Sequence, residues 1–360
     1  MLSRRLALAG PLLFGLPRIS DAQNRRDDPE SELVLLAADA GADSVRTAND
    51  MAARFGGAEV RLRAESTPGV LFTAAHLADR PAAVGGILPS VALAYMSRSG
   101  LPASVVYALR FIARLGVSEF HVLASQRMAA LSDVGGQKVN LGPQGGTTHA
   151  TATVLLDRMA MRVDPVYLDH DQALAAVLRG EIAAMMLVAP APAKLFLSVN
   201  LSDHVHFLPV GDLGGQPNGL LPAQILPEDY PQLGGGQPGR GRAVGTLGVP
   251  MVLACYNWSS ATPMFAGLAR LCDLLVEHGS GLPGFDMAAE VSGWERFPPV
   301  ADWLARGRAG TVQDVALGRR RVPAAGSGGG AGPAATPRTS EEQKERLFQQ
   351  FLNWRRVQGQ

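Results

Sequence analysis

The stretch VNLGPQGGTTHAT, residues 139–151, sets the reading of the whole chain. It opens as a short apolar strand, breaks at Gly142 and Pro143, loops through Gly145 and Gly146, and enters a helix that stays apolar through Val154, Leu155 and Leu156. Glycines at a strand-to-helix turn let backbone N–H groups approach a ligand closely. The first N–H groups of the helix lack intrahelical partners, and the helix dipole adds partial positive charge there. Thr147 and Thr148 add hydroxyls, so the turn suits a carboxylate, sulfate or phosphate without a lysine. A tight turn with an ordinary N-cap is the other reading of the same residues.

The chain has 360 residues, enough for two domains, and 47% hydrophobic content is ample for a core. A net charge of +1 with no long basic run in the body argues against nucleic acid as the main partner. Residues 1–22 read as an export signal. Arg4 and Arg5 precede an apolar segment, 6–16, that is too short to span a bilayer. Small residues at Ser20 and Ala22 place cleavage after Ala22, and the expected compartment is the periplasm. Ser3-Arg4-Arg5 also resembles a twin-arginine start, although Leu6 and Ala7 fit that pattern only partly. Removing the signal takes away three arginines and one aspartate and moves the net charge from +1 to −1. Cys255 and Cys272 sit in apolar runs, so buried thiols and a disulfide are both open readings.

Strands and helices then alternate. Residues 33–38 are a short continuous apolar strand, and 45–55 have helical spacing. Segments 59–64, 83–87, 120–124, 164–168, 182–188, 206–210 and 246–255 read as strands, and 70–77, 91–96, 151–159, 171–178, 194–199 and 263–278 as helices. Such alternation predicts a parallel sheet with helices on its faces. Strand-end loops bind ligands in these sheets, which points to 39–44 and 88–90. Residues 209–245 are rich in Gly and Pro and read as irregular; 305–337 are low-complexity and read as disordered.

Four motifs in order carry a family resemblance. The run 131–143, LSDVGGQKVNLGP, resembles the entry to the second lobe of type II periplasmic solute-binding proteins. The turn 142–148 looks like the GPPGSGT element of the TAXI family of TRAP-transporter binding proteins. Gly180-Glu181-Ile182-Ala183-Ala184 is similar to that family's G-x-I-D-A, with Ala183 where Asp is usual. Tyr230-Pro231 and the run 244–253 resemble its return to the first lobe. The resemblance implies an α/β, type II periplasmic-binding-protein-like fold, with two α/β lobes joined by a two-crossing hinge, plus a C-terminal tail. It implies lobe I over 31–125 and 244–305, lobe II over 126–243, and hinge crossings near Ser125 and Ala243. A small carboxylated solute would sit in the interlobe cleft, and membrane transporter subunits of the TRAP type would be the partner. Gly145, Gly146, Thr147, Thr148 and His149 would bind the solute from lobe II; Asp39, Asp43, Ser44 and Ser90 would do so from lobe I. The family's glycine-rich first loop is replaced here by acidic residues. Asp39 and Asp43 therefore suit an amine, and an amino-acid-like zwitterion would satisfy both ends; Asp43 or Ser44 as a plain helix cap is the competing reading.

No motif points to catalysis. His204 and His206 share a strand face but are too few for a metal. The Gly142 turn lacks the lysine of a P-loop, and Gly-x-Ser-x-Gly is absent. The expectation is a binding protein, not an enzyme, with no cofactor and no metal. A ligand-sensing subunit of a membrane receptor, and an envelope interaction protein that has lost its solute, are the alternatives. After a linker, 306–338, a capping box at 340–343 opens an amphipathic helix, 340–357, with Leu347, Phe348, Phe351 and Leu352 on one face.

Overall fold

The computed structural model describes residues 32–316, except 39–42, 57–60, 81, 198, 200–203, 212–216, 232–241 and 309. The expected export signal, Asp39, the expected linker beyond 316 and the helix expected over 340–357 lie outside the described residues.

The first part of the chain alternates as its pattern predicts. β1 (Glu32–Ala38) is buried at every position from Leu33 to Ala38, as a strand covered on both faces must be. α1 (Asp43–Phe55) turns Ala48, Met51 and Phe55 inward, one stripe of an amphipathic helix. β2 (Arg61–Thr67), α2 (Val70–Asp79), β3 (Ala83–Pro89), α3 (Ala92–Arg98) and α4 (Ala103–Ala108) follow. β3 carries Gly85 and Gly86 because helices and strands close on it: a Cβ at Gly86 would lie 2.6 Å from Thr73 Cγ2.

β4 (Leu109–Ser125) is a 17-residue strand. Beyond it come β5 (Lys138–Asn140), α5 (Thr147–Arg158), β6 (Asp164–Val166), α6 (His170–Leu178), β7 (Ala184–Ala189), α7 (Lys194–Leu197), β8 (Val205–Phe207) and β9 (Leu221–Ile225). β10 (Val244–Tyr256), α8 (Pro263–His278), α9 (Pro298–Ala305) and α10 (Val312–Ala316) complete the described chain. The sheet order is β2-β1-β3-β10-β4-β7-β5-β6, with β8 on β4 and β9 on β10.

This is a two-lobed α/β fold, and the two long strands join the lobes. β4 pairs with β10 over Leu109–Glu119 and with β7 over Glu119–Ala124. β10 pairs with β9 over Val244–Gly248 and with β3 over Met251–Ala254. The partners therefore change near Gly116–Glu119 and Gly248–Met251, inside the strands. The sheet is also mixed and not parallel throughout: β1, β2 and β3 are parallel, as are β5, β6 and β7, but β10 runs antiparallel to β3 and to β4.

One apolar cluster runs through both lobes, joining Val34, Leu77 and Met96 to Val139, Val154 and Leu155. A second cluster lies in lobe I and a third in lobe II. Cys255 and Cys272 are buried free thiols, and burial pushes both up in pKa. Residues 312–316, expected to belong to the low-complexity linker, form α10. Val312 is fully buried, and its N–H donates to Asp273 Oδ1 at 2.7 Å, which fixes α10 against α8. Residues 221–225, expected to be irregular, pair with β10 as β9.

Candidate functional site

A cleft of about 990 Å³ lies between the lobes. Lobe I lines it with Asp43, Ser44, Arg46, Thr47 and Asp50 of α1, and lobe II with Thr147 and Thr148 of α5. Asp169, His170 and Asp171 at the start of α6, and residues 187–195 from the end of β7 into α7, form further wall. The first turns of three helices thus border one cavity, and each presents N–H groups without intrahelical partners and a positive dipole end.

The turn into α5 is shaped by Gly142, whose φ of +80° favours glycine. A Cβ there would also lie 3.0 Å from Thr148 Cβ and 3.2 Å from His170 Cε1. Gly146 is the N-cap of α5, so Thr147 and Thr148 belong to its first turn. The Thr148 hydroxyl oxygen accepts the Val188 N–H at 3.1 Å, tying α5 to the end of β7.

Four aspartates, Asp43, Asp50, Asp169 and Asp171, share the cleft with Arg46 and Lys194. Arg46 pairs with Asp43 at 2.7 Å, on an exposed helix face where such a pair contributes little stability. Lys194 has no ion pair among the described residues. The Nδ1 atom of His170 is buried without a hydrogen-bond partner, and burial lowers the pKa of this imidazole.

The turn 190–195 is held from below. Glu119 Oε2 accepts the Ala191 N–H at 2.7 Å, and the Tyr230 hydroxyl accepts the Ala193 N–H at 2.6 Å. His121 Nδ1 lies 3.1 Å from the Glu119 carbonyl, which can only accept, so Nδ1 carries the proton. Nε2 then accepts from the Tyr230 hydroxyl at 2.9 Å. Burial keeps His121 neutral, with its pKa lowered to about 4.

Asp43, Ser44, Thr147 and Thr148, named from sequence, are brought together in this cleft. The Ser44 hydroxyl donates to the Ala38 carbonyl at 2.6 Å, so it anchors the end of β1. Gly145, Gly146, His149 and Ser90 do not line the cleft. Ser90 lies under Trp294, whose Nε1 donates to the Ser90 carbonyl at 2.7 Å. His149 packs against Tyr95 and Tyr167. Arg46 and Asp50 were missed, although both lie on the α1 face that carries Asp43. Nothing in the sequence marks His170 or Lys194, which reach the cleft only through the fold. His206 Nδ1 lies 3.0 Å from Gln126 Oε1.

Among solved structures, the chain is similar to the alkanesulfonate-binding protein SsuA from Xanthomonas axonopodis pv. citri bound to MOPS. Identity is 14%, 91% of this chain and 93% of that chain are covered, and the TM-score is 0.39. It is also similar to the periplasmic binding protein BugD, at 13% identity, 81% and 95% coverage and a TM-score of 0.42. The effector-binding domain of QuiR in complex with shikimate gives 9% identity, 69% and 97% coverage and a TM-score of 0.40. No curated protein matches. These TM-scores are low, and the family assignment rests on sequence alone. The model of the NMT1-like family matches residues 50–261, more than half of the 360 residues, and the chain belongs to that family.

Proposed function

We propose that this protein is an exported solute-binding protein that captures a small carboxylated solute between its lobes and delivers it to a TRAP-type membrane transporter. The observation that carries the reading is the interlobe cleft of about 990 Å³ bordered by the first turns of α1, α5 and α6. Its size falls in the usual range for small-molecule sites. The solute's carboxylate seats on the first turn of α5, at Thr147 and Thr148. Asp43 and Arg46, paired on the opposite lobe, receive an amine and a second acceptor respectively, which suits an amino-acid-like molecule. Contacts to both lobes favour the closed state. The TRAP assignment rests on the motif resemblance. Lobe I over 31–125 and 244–305, lobe II over 126–243, and periplasmic release after Ala22 belong to the same reading.

A thermal-shift screen of residues 23–360 against amino acids, dicarboxylates, 2-oxoacids and sugars tests it. A ligand at a hundred times its dissociation constant stabilises the native state by about 2.7 kcal/mol. A dose-dependent shift with a carboxylated member, reduced in Thr148→Val, is expected. Silence across the panel from folded, ligand-free protein overturns the reading.

A further inference from the structure

His149 lies outside the cleft, where the two lobes touch away from the long strands. Its Nδ1 accepts the Gly145 N–H at 3.0 Å. A backbone N–H can only donate, so Nδ1 is unprotonated and the ring proton sits on Nε2. The Tyr95 hydroxyl, from α3 of lobe I, lies 3.3 Å from the same atom. Tyr95 and Tyr167 meet the ring edge-on, with centroids 5.7 and 5.2 Å away. The Gly145 carbonyl accepts the N–H of Val70, the first residue of α2 in lobe I, at 2.9 Å. Gly69 lies so close to Gly145 that a Cβ would fall 2.4 Å from its carbonyl oxygen. Gly145 is therefore gripped on both sides: its N–H by His149 and its carbonyl by α2.

We propose that His149 is a positioning residue which, through Nδ1 and the Gly145 amide, ties the turn 142–146 and its contact with lobe I to the neutral imidazole. Protonation places a hydrogen on Nδ1 facing the Gly145 N–H, and the bond is lost. The turn that leads into Thr147 and Thr148 then loosens, and so does the contact with α2. The titratable groups facing the ring are Tyr95 from α3 and Tyr167 beyond β6. Arg98 of α3 and Asp157 of α5 form an ion pair at 3.5 Å. Burial lowers the pKa of His149, in the direction the bond requires. A lowered folded-state pKa means the contact is whole above the ordinary histidine value and weakens as pH falls below it.

The test uses the mature chain without solute, so its outcome is independent of the proposed function. Nitrogen-15 NMR of labelled histidine reads the tautomer, and amide exchange reads the protection of Gly145 and Val70. In the wild type, Nδ1 is unprotonated at pH 8, and protection falls by up to about tenfold per pH unit below about 6.5. H149N, whose side-chain oxygen stands near Nδ1, keeps protection with no such pH dependence. H149F fills the ring site but leaves Gly145 poorly protected at every pH. An Nδ1–H tautomer, or wild-type pH dependence in H149N, overturns the proposal. Both readings stand even if H149F does not fold.

Discussion

Two buried hydrogen bonds meet on the hydroxyl of Tyr230, one from Ala193 and one to His121. Tyr230→Phe removes that hydroxyl and leaves the Ala193 N–H and the His121 Nε2 without partners. It should cost about 1–3 kcal/mol in urea denaturation, because a buried group left unpaired loses its full desolvation energy. A neutral loss would mean that water replaces the hydroxyl. His121 sets a pH dependence of its own. Its folded pKa is about 4, below the ordinary histidine value, so its contribution is present above about pH 6.5 and is lost as pH falls toward 4. The span corresponds to roughly 3 kcal/mol. Denaturation midpoints measured from about pH 7 to about pH 4 should fall less steeply in His121→Gln than in the wild type. At this scale the sequence revealed Thr147 and Thr148 because a glycine turn before a helix is a local signal. His121 and Tyr230 are 109 residues apart, and no local pattern joins them.

Helices and strands differ in how plainly the chain announces them. α8 was legible to its ends because Pro263 opens it and its apolar stripe is continuous. The first half of β4 was not, because Arg110, Arg114 and Gly116 interrupt its apolar run. Its pairing with β10 supplies what local propensity lacks. β9 is similar, a short strand with a proline that exists by pairing with β10. The contact of α2 with the turn before α5 gives an element-scale prediction. Gly69→Ala places a Cβ against the Gly145 backbone, which has no flexible end to move aside. It should destabilise the protein by about 1–3 kcal/mol. Gly245→Ala, with open space around it, should leave the thermal midpoint nearly unchanged. Equal midpoints for the two variants would show that α2 and the turn do not bear on each other.

The whole molecule has two lobes but one shared apolar cluster and two strands common to both. Unfolding should therefore be a single transition. Trp258, Trp294 and Trp303 all lie in lobe I, and Trp354 is outside the described residues. In a Trp354→Phe background, tryptophan fluorescence follows lobe I, whereas far-ultraviolet circular dichroism follows both lobes. The two denaturation curves should coincide, and a separate second transition would mean that the lobes unfold independently. The position of β10 also governs the order in which the chain can be assembled. β10 lies between β3 and β4, yet it follows β4 in the chain by the whole of lobe II. While the chain emerges from its start, the edge of β3 has no partner, and an open strand edge invites pairing with other chains. β9 waits for the same strand, because its partner is Val244–Gly248 of β10. Both lobes thus close on one late strand, and a chain that stops at Ala243 leaves an edge of β3 and an edge of β9 open.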